Sequence, residues 1–223
     1  MPRGRRRAAT PSRSEVFEPD CRRCPRLAGF RDEVKRGHPG YWARPVPAFG
    51  DTQPRILVVG LAPGLHGANR TGRPFTGDFA GILLYETLHA VGIATQPHSV
   101  SADDSLRLRG LRITNAVKCL PPQNKPLPDE IARCNGFLKA EVAALPSVRV
   151  LLALGRIAHD AALDALGVRR ASARFAHGAE HHLGNGRVLV DSYHCSRYNT
   201  NTRRLTPTMF RDVVARTVEL AAN

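Results

Sequence analysis

Four apolar runs punctuate the chain: RILVVG (55–60), LRITNAV (111–117), VRVLLALG (148–155) and RVLVDS (187–192). The first and third are almost unbroken in Val, Leu and Ile, the pattern of strands covered on both faces. Between them the spacing turns helical. Residues 79–92 place Leu84, Leu88 and Val91 on one side. Residues 128–145 open with Pro128, Asp129 and Glu130, a favourable first turn, and carry a stripe of Ile131, Cys134, Leu138, Val142 and Leu145. RIAHDAALDALG (156–167) reads as a helix stopped by Gly167. Thr206-Pro207 opens a last helix with Phe210, Val213, Val214, Thr217, Val218 and Ala221 on one face. Alternating strands and helices predict an α/β fold with a mostly parallel, four-stranded sheet. PPQNKPLP (121–128) reads as a loop. No internal repeat or linker divides the chain, so one domain is expected over 15–223 behind a basic, unstructured tail over 1–14.

Open parallel sheets bind ligands at the carboxyl ends of their strands. Here those ends lead into GLAPGLHG, NAVKC, ALGRIAH and SYHCSRYN, which are expected to converge on one site. The first continues as GLAPGLHGANRTGRPFTGD (60–78). Its glycines let backbone approach a ligand closely. Phe75 offers either a core anchor for the loop or a flat face for a planar ligand. Asp78 stands where a helix N-cap belongs.

Charge narrows the class of partner. Against 19 Asp and Glu stand 33 Lys and Arg, a formal +14. Five of those arginines precede the first acid, Glu15, and the rest of the chain still carries +9. A body that basic points to a polyanion, nucleic acid first, with an arginine-biased soluble protein as the plainer reading. No 18-residue apolar stretch exists to span a membrane, and no apolar segment follows the leading arginines, so neither an anchor nor a signal peptide is expected. A cytoplasmic, nucleoid-associated protein is expected, with its five cysteines reduced or metal-bound. Cys21-x-x-Cys24, with Cys119 and Cys134, can close a site of four thiolates. Spacing alone leaves zinc, an iron–sulfur cluster, a redox dithiol and a plain thiol pair all open. A zinc nucleobase deaminase would need H-x-E beside P-C-x-x-C, and no H-x-E occurs in the chain.

GLAPGLHGANRTGRPFTGD, TNAVKC and SYHCSRYNTNTRRLT together resemble family 5 of the uracil-DNA glycosylase superfamily, over roughly residues 17–220. The resemblance implies a three-layer α/β/α sandwich and hydrolysis of the N-glycosidic bond of uracil, or of another deaminated or damaged base, in double-stranded DNA. It implies a structural [4Fe–4S] cluster on Cys21, Cys24, Cys119 and Cys134, with Cys195 no ligand. Such an enzyme flips its base into a pocket. Gly60, Ala62, Pro63, Gly64 and Phe75 would then line that pocket, Phe75 stacking on the base. Asn115 would read the base edge, since an amide both donates and accepts. His194 would face O2 of the base. Relatives with an acid directly after the first strand have Leu61 or Ala62 in its place here, as in family 5, which shifts the water-activating role to Asp78. The usual His-Pro-Ser is His194-Cys195-Ser196, so one fixed φ is lost. Arg70, Arg197, Tyr198 and Asn199 are expected on DNA, the last three within a wedge at 197–204. A monomer is expected. Two rival readings are a non-catalytic, metal-stapled DNA-binding protein and a relative that traps DNA covalently through His66.

Overall fold

The computed structural model describes residues 17–184 and 186–222, so the tail expected over 1–14 lies outside the described residues. The four apolar runs form four adjacent parallel strands: β2 (Ile56–Gly60), β3 (Leu111–Asn115), β4 (Val150–Leu154) and β6 (Val188–Ser192). They lie in the order β3-β2-β4-β6. Every residue of β2 and β4 is buried, because helices cover both faces. On one face Ile56, Val58, Ile113, Leu152 and Val190 pack against Leu84 and Leu88 of α3 (Phe79–Ala90) and against Phe210 and Val214 of α7 (Pro207–Ala222). On the other, Leu57, Val59, Leu151 and Leu189 meet Leu138 and Val142 of α4 (Pro128–Ala144) and Ala158 and Leu163 of α5 (Arg156–Leu166). Alternate residues of one strand thus feed two separate cores, which makes three layers.

The sheet is wider than the four runs predict. It is six-stranded and mixed, with β1 (Phe49–Gly50) antiparallel to β3 and β5 (Glu180–His182) antiparallel to β6. Segments of two and three residues are too short to show an alternating pattern, and neighbouring strand edges recruit them. Three further helices also lie outside the expected set: α1 (Pro25–Gly37), α2 (Ala68–Thr71) and α6 (Arg197–Asn201). In α1 the buried stripe is Leu27, Ala28, Arg31 and Val34, and an arginine in that stripe hides its periodicity. Among the described residues, no helix is long and apolar enough to cross a membrane.

One polar contact is buried between α4 and the end of β3. Glu141 accepts from Thr114 Oγ1 at 2.8 Å and pairs with Lys118 Nζ at 3.0 Å, and both charged side chains are under 5% exposed. Arg112 Nε approaches the same carboxylate at 3.4 Å. Removing the acid leaves Lys118 charged and buried with no counter-ion. Glu141→Ala is therefore expected to cost about 3–5 kcal/mol of stability, measured by denaturant unfolding; a loss below about 1 kcal/mol would show that the pair is not what holds α4 to β3.

Candidate active site and four-cysteine cradle

Parallel register sets Gly60 beside Asn115, and Leu154 beside Ser192, so the strand ends share one edge. The loops leaving that edge enclose a cavity of about 370 Å³ lined by Leu61, Ala62, Gly64, Phe75, Asp78, Asn115 and His194, among others. Four side chains singled out from sequence, Phe75, Asp78, Asn115 and His194, thus meet in one place. Gly60 and Pro63 are not among the residues that line it.

Phe75 is held by its backbone. Its φ is +53°, a left-handed value that costs an aromatic residue energy and persists only where the surroundings enforce it. Tyr85 Oη donates to Pro74 O at 2.9 Å, and Thr71 Oγ1 donates to Thr76 O at 3.3 Å, fixing both neighbours. A Cβ at Gly81 would overlap Phe75 O, and one at Gly60 would overlap the Phe75 ring and Asn115 Oδ1. The ring is 7% exposed and joins the core, so it anchors the loop and walls the cavity at once.

Asp78 plays two roles with two oxygens. Oδ1 accepts from Gly81 N at 3.0 Å and caps α3. Oδ2 faces the Gly64–Gly67 turn, where a Cβ at Gly64 would come within 3.4 Å and one at Gly67 would overlap it. Burial raises the carboxyl above its ordinary 3.8, opposed by the amides of Gly81 and Ala80. Asn115 is 3% exposed, and its Oδ1 has no hydrogen-bond partner. An orphaned buried amide oxygen costs about 1–3 kcal/mol until a donor arrives. His194 is half-buried and lines the cavity, and burial pushes its imidazole down to about 4, so it is neutral near pH 7. Its ring lies 5.9 Å from that of Phe75 at 29°. A base sandwiched between them would need two gaps of about 3.5 Å each. The space between the two rings is therefore too narrow for a planar ligand sandwiched between them.

Asn124 and Ser196 also line the cavity and were not singled out from sequence. Asn124 and Gln123 have φ of +56° and +55°, so a strained turn delivers Asn124, and only the adjacent prolines hinted at it. A second groove, about 560 Å³, runs on the other side of Asp78 and is lined by His66, Phe79, Ile82, Val100 and Arg197. Arg197 sits 5.1 Å over the Phe79 ring, and Tyr198 is 72% exposed. Arg70 is exposed but turned back onto the loop, with Nε donating to His66 O at 2.7 Å. Asn199 faces inward and donates from Nδ2 to His194 O at 2.8 Å. His66 accepts or donates through Nδ1 with Tyr41 Oη at 2.8 Å, outside the main cavity.

The cysteines divide as the sequence suggested. Cys21, Cys24, Cys119 and Cys134 line one apolar cleft with Leu27, Val117 and Phe137. Cys195 is fully buried in the core beside α3 and α7, in a different place. Donors surround the cleft: Arg31 Nη1 reaches Cys119 Sγ at 3.4 Å, and Lys118 N reaches Cys134 Sγ at 3.3 Å. Burial pushes the Cys119 thiol up to about 12, against the pull of Arg31, and raises Cys134 as well. Cys24, Cys119 and Cys134 resist ionising alone, and a cationic centre would stabilise them as thiolates.

The uracil DNA glycosylase superfamily model matches residues 47–217. The type-5 uracil-DNA glycosylase of Thermus thermophilus is 52% identical over 207 residues, covering 90% of this chain and 94% of its own length. That of Mycobacterium tuberculosis is 46% identical over 209 residues, 90% of this chain and 78% of its own. A type-4 uracil-DNA glycosylase of Archaeoglobus fulgidus is 36% identical over 114 residues, about half of each chain. With the parallel sheet, the glycine-rich loop and the strand-end cavity in place, the match fixes the lineage: the chain belongs to the uracil DNA glycosylase superfamily.

Proposed function

We propose that the protein is a monofunctional glycosylase that hydrolyses the N-glycosidic bond of uracil in double-stranded DNA. The observation that carries this reading is the convergence of Phe75, Asp78, Asn115 and His194 on one cavity in a chain of formal charge +14. The flipped base stacks on Phe75. Asn115 supplies the unpaired amide that a uracil edge satisfies. Neutral His194 donates an N–H toward the base carbonyl as negative charge develops there, an oxyanion-hole role. Asp78 Oδ2 holds water on the sugar side or stabilises the positive charge of the sugar. The alanine and glycine at 62 and 64 leave the wall beside the base uncrowded, which supports acceptance of larger bases such as hydroxymethyluracil, ethenocytosine and hypoxanthine. The exposed Arg197 and Tyr198 are suited to the DNA backbone and the space left by the flipped base. His66 lies in the neighbouring groove and is engaged with Tyr41, which weighs against covalent trapping. A monomer, located in the cytoplasm with the DNA it scans, completes the reading.

The four-cysteine cleft fits a [4Fe–4S] cluster better than zinc. A single zinc with Zn–S of about 2.3 Å brings its sulfurs within about 3.8 Å of one another. Among the described residues, the His, Cys, Asp and Glu ligand atoms gathered within 4.8 Å are those of His159, His181 and Asp191, and no trio of these cysteines is among them. When bound, the cluster would supply cross-linking rather than redox chemistry, since hydrolysis transfers no electrons. It would tie Cys21 and Cys24 of the N-terminal segment to Cys119 and α4. Anaerobically purified protein is expected to contain iron and acid-labile sulfide in equal amounts; zinc in their place would overturn the cluster.

A nicking assay tests the activity. A labelled duplex with a single uracil should be cut there only after alkali, and a thymine control should not. Asp78→Asn should lose about 100-fold or more in single-turnover rate while still binding DNA. Asparagine caps helices as well as aspartate does, and burial disfavours the carboxylate in the folded state. The variant should therefore melt no lower than the parent at pH 7. Wild-type turnover should fall as pH drops through the raised Asp78 value, with its midpoint above 3.8, and the variant should lack that limb. An Asp78→Asn protein with full activity removes Asp78 from the mechanism.

A further inference from the structure

We propose that His159 and Asp191 form a buried, proton-bearing pair that positions His194. The inference rests on the reading of His194 as the group that faces the base. His159 lies in the first turn of α5 and is 1% exposed. Its Nδ1 is 2.7 Å from Asp191 Oδ1, and its Nε2 is 3.0 Å from Ala173 O. A backbone carbonyl only accepts, so Nε2 carries a hydrogen. The bridge to Asp191 needs a second proton, which the proposal places on Nδ1. Asp191 Oδ2 in turn meets His181 Nε2 at 3.0 Å. With both ring nitrogens committed, His159 has no lone pair left for a metal.

The pair braces the two supports of the His194 backbone. Gly155, with φ of +95°, precedes α5, accepts from His159 N at 3.0 Å, and donates to Ser192 O at 2.8 Å. A Cβ at Gly155 would lie 3.5 Å from His194 Cβ, so this turn sits directly against the histidine. The second support is the segment from Ala173 to Ala179. It is tied to the pair through Ala173 O, and to the Asp191 backbone through Gly178 N at 2.8 Å and Ala179 O at 3.0 Å. That segment carries His177, whose Nδ1 accepts from Tyr193 N at 3.2 Å and whose ring stacks on Tyr193 at 5.0 Å. Tyr193 is the residue before His194. Losing the proton would therefore loosen both supports at once.

The groups facing His159 are Asp191 of β6, His181 of β5, Asp160 on its own helix, the Ala173 carbonyl and the edge of the Phe175 ring. Burial lowers its pKa, but the bond and charge of Asp191 outweigh that and the net shift is upward from 6.5. A raised histidine stabilises the fold fully below its unfolded value, and that contribution is lost as pH rises through the folded value.

Selectively labelled protein, followed by NMR from pH 6 to 9, tests this. The His159 ring should titrate as a protonated group above 6.5, and the His194 resonances should shift with the same midpoint while the chain stays folded by circular dichroism. Single-turnover uracil release should fall through that midpoint with DNA affinity unchanged. His159→Gln should abolish this alkaline limb and slow release by about tenfold to a hundredfold. A neutral His159 throughout, or His194 resonances indifferent to its titration, would overturn the proposal. The NMR readout stands even if His159→Gln does not fold. Absence of uracil release by the wild type would sink the glycosylase reading instead, and coupling between the two rings would still be visible.

Discussion

The site depends on backbone passing closer to side chains than any Cβ would allow. At Gly60, Gly67 and Gly81 an added carbon would strike the Phe75 ring and Asn115, the Asp78 carboxylate, and the Phe75 carbonyl respectively. Those three approaches place the aromatic ring, the amide and the acid within one cavity. They also explain why the loop tolerates a left-handed phenylalanine, since the alternative backbone paths are blocked by the bonds to Pro74 and Thr76.

Lys118 joins this site to the cysteine cradle. Its backbone N–H points at Cys134 Sγ, its ammonium pairs with Glu141, and it lies three residues beyond Asn115. One short segment therefore connects the four-cysteine cleft to Asn115. The opposite wall is built the same way, with His194 held at its carbonyl by Asn199 and at its flanks by Gly155 and Tyr193. Burial has adjusted the charge of two cavity-lining groups: an acid raised, and a histidine lowered until it stays neutral.

Much of the molecule was legible in the chain. Continuous Val, Leu and Ile runs specify strands buried on both faces, and the four central strands fall within a residue or two of the runs that predict them. The cavity-lining residues could be named because the family resemblance added to what strand ends and glycines mark in a parallel sheet. Asn124 was not legible: a strained turn far along the sequence delivers it, and no periodicity announces a turn.

Sequence by itself determined the alternation of strand and helix, the excess positive charge, the four-cysteine set and the glycine-rich loop, because each is a property of residue type and local spacing. Tertiary structure alone decided the rest. The edge strands β1 and β5 exist only because neighbours pair with them. Asp78 splits its two oxygens between a helix cap and the Gly64–Gly67 turn, and Asn199 turns inward although its segment reads as a solvated basic loop. His159 and Asp191, 32 residues apart, become one proton-sharing unit. These outcomes follow from which surfaces are buried together, and burial sets both hydrogen-bond partners and protonation in ways that no single stretch of chain contains.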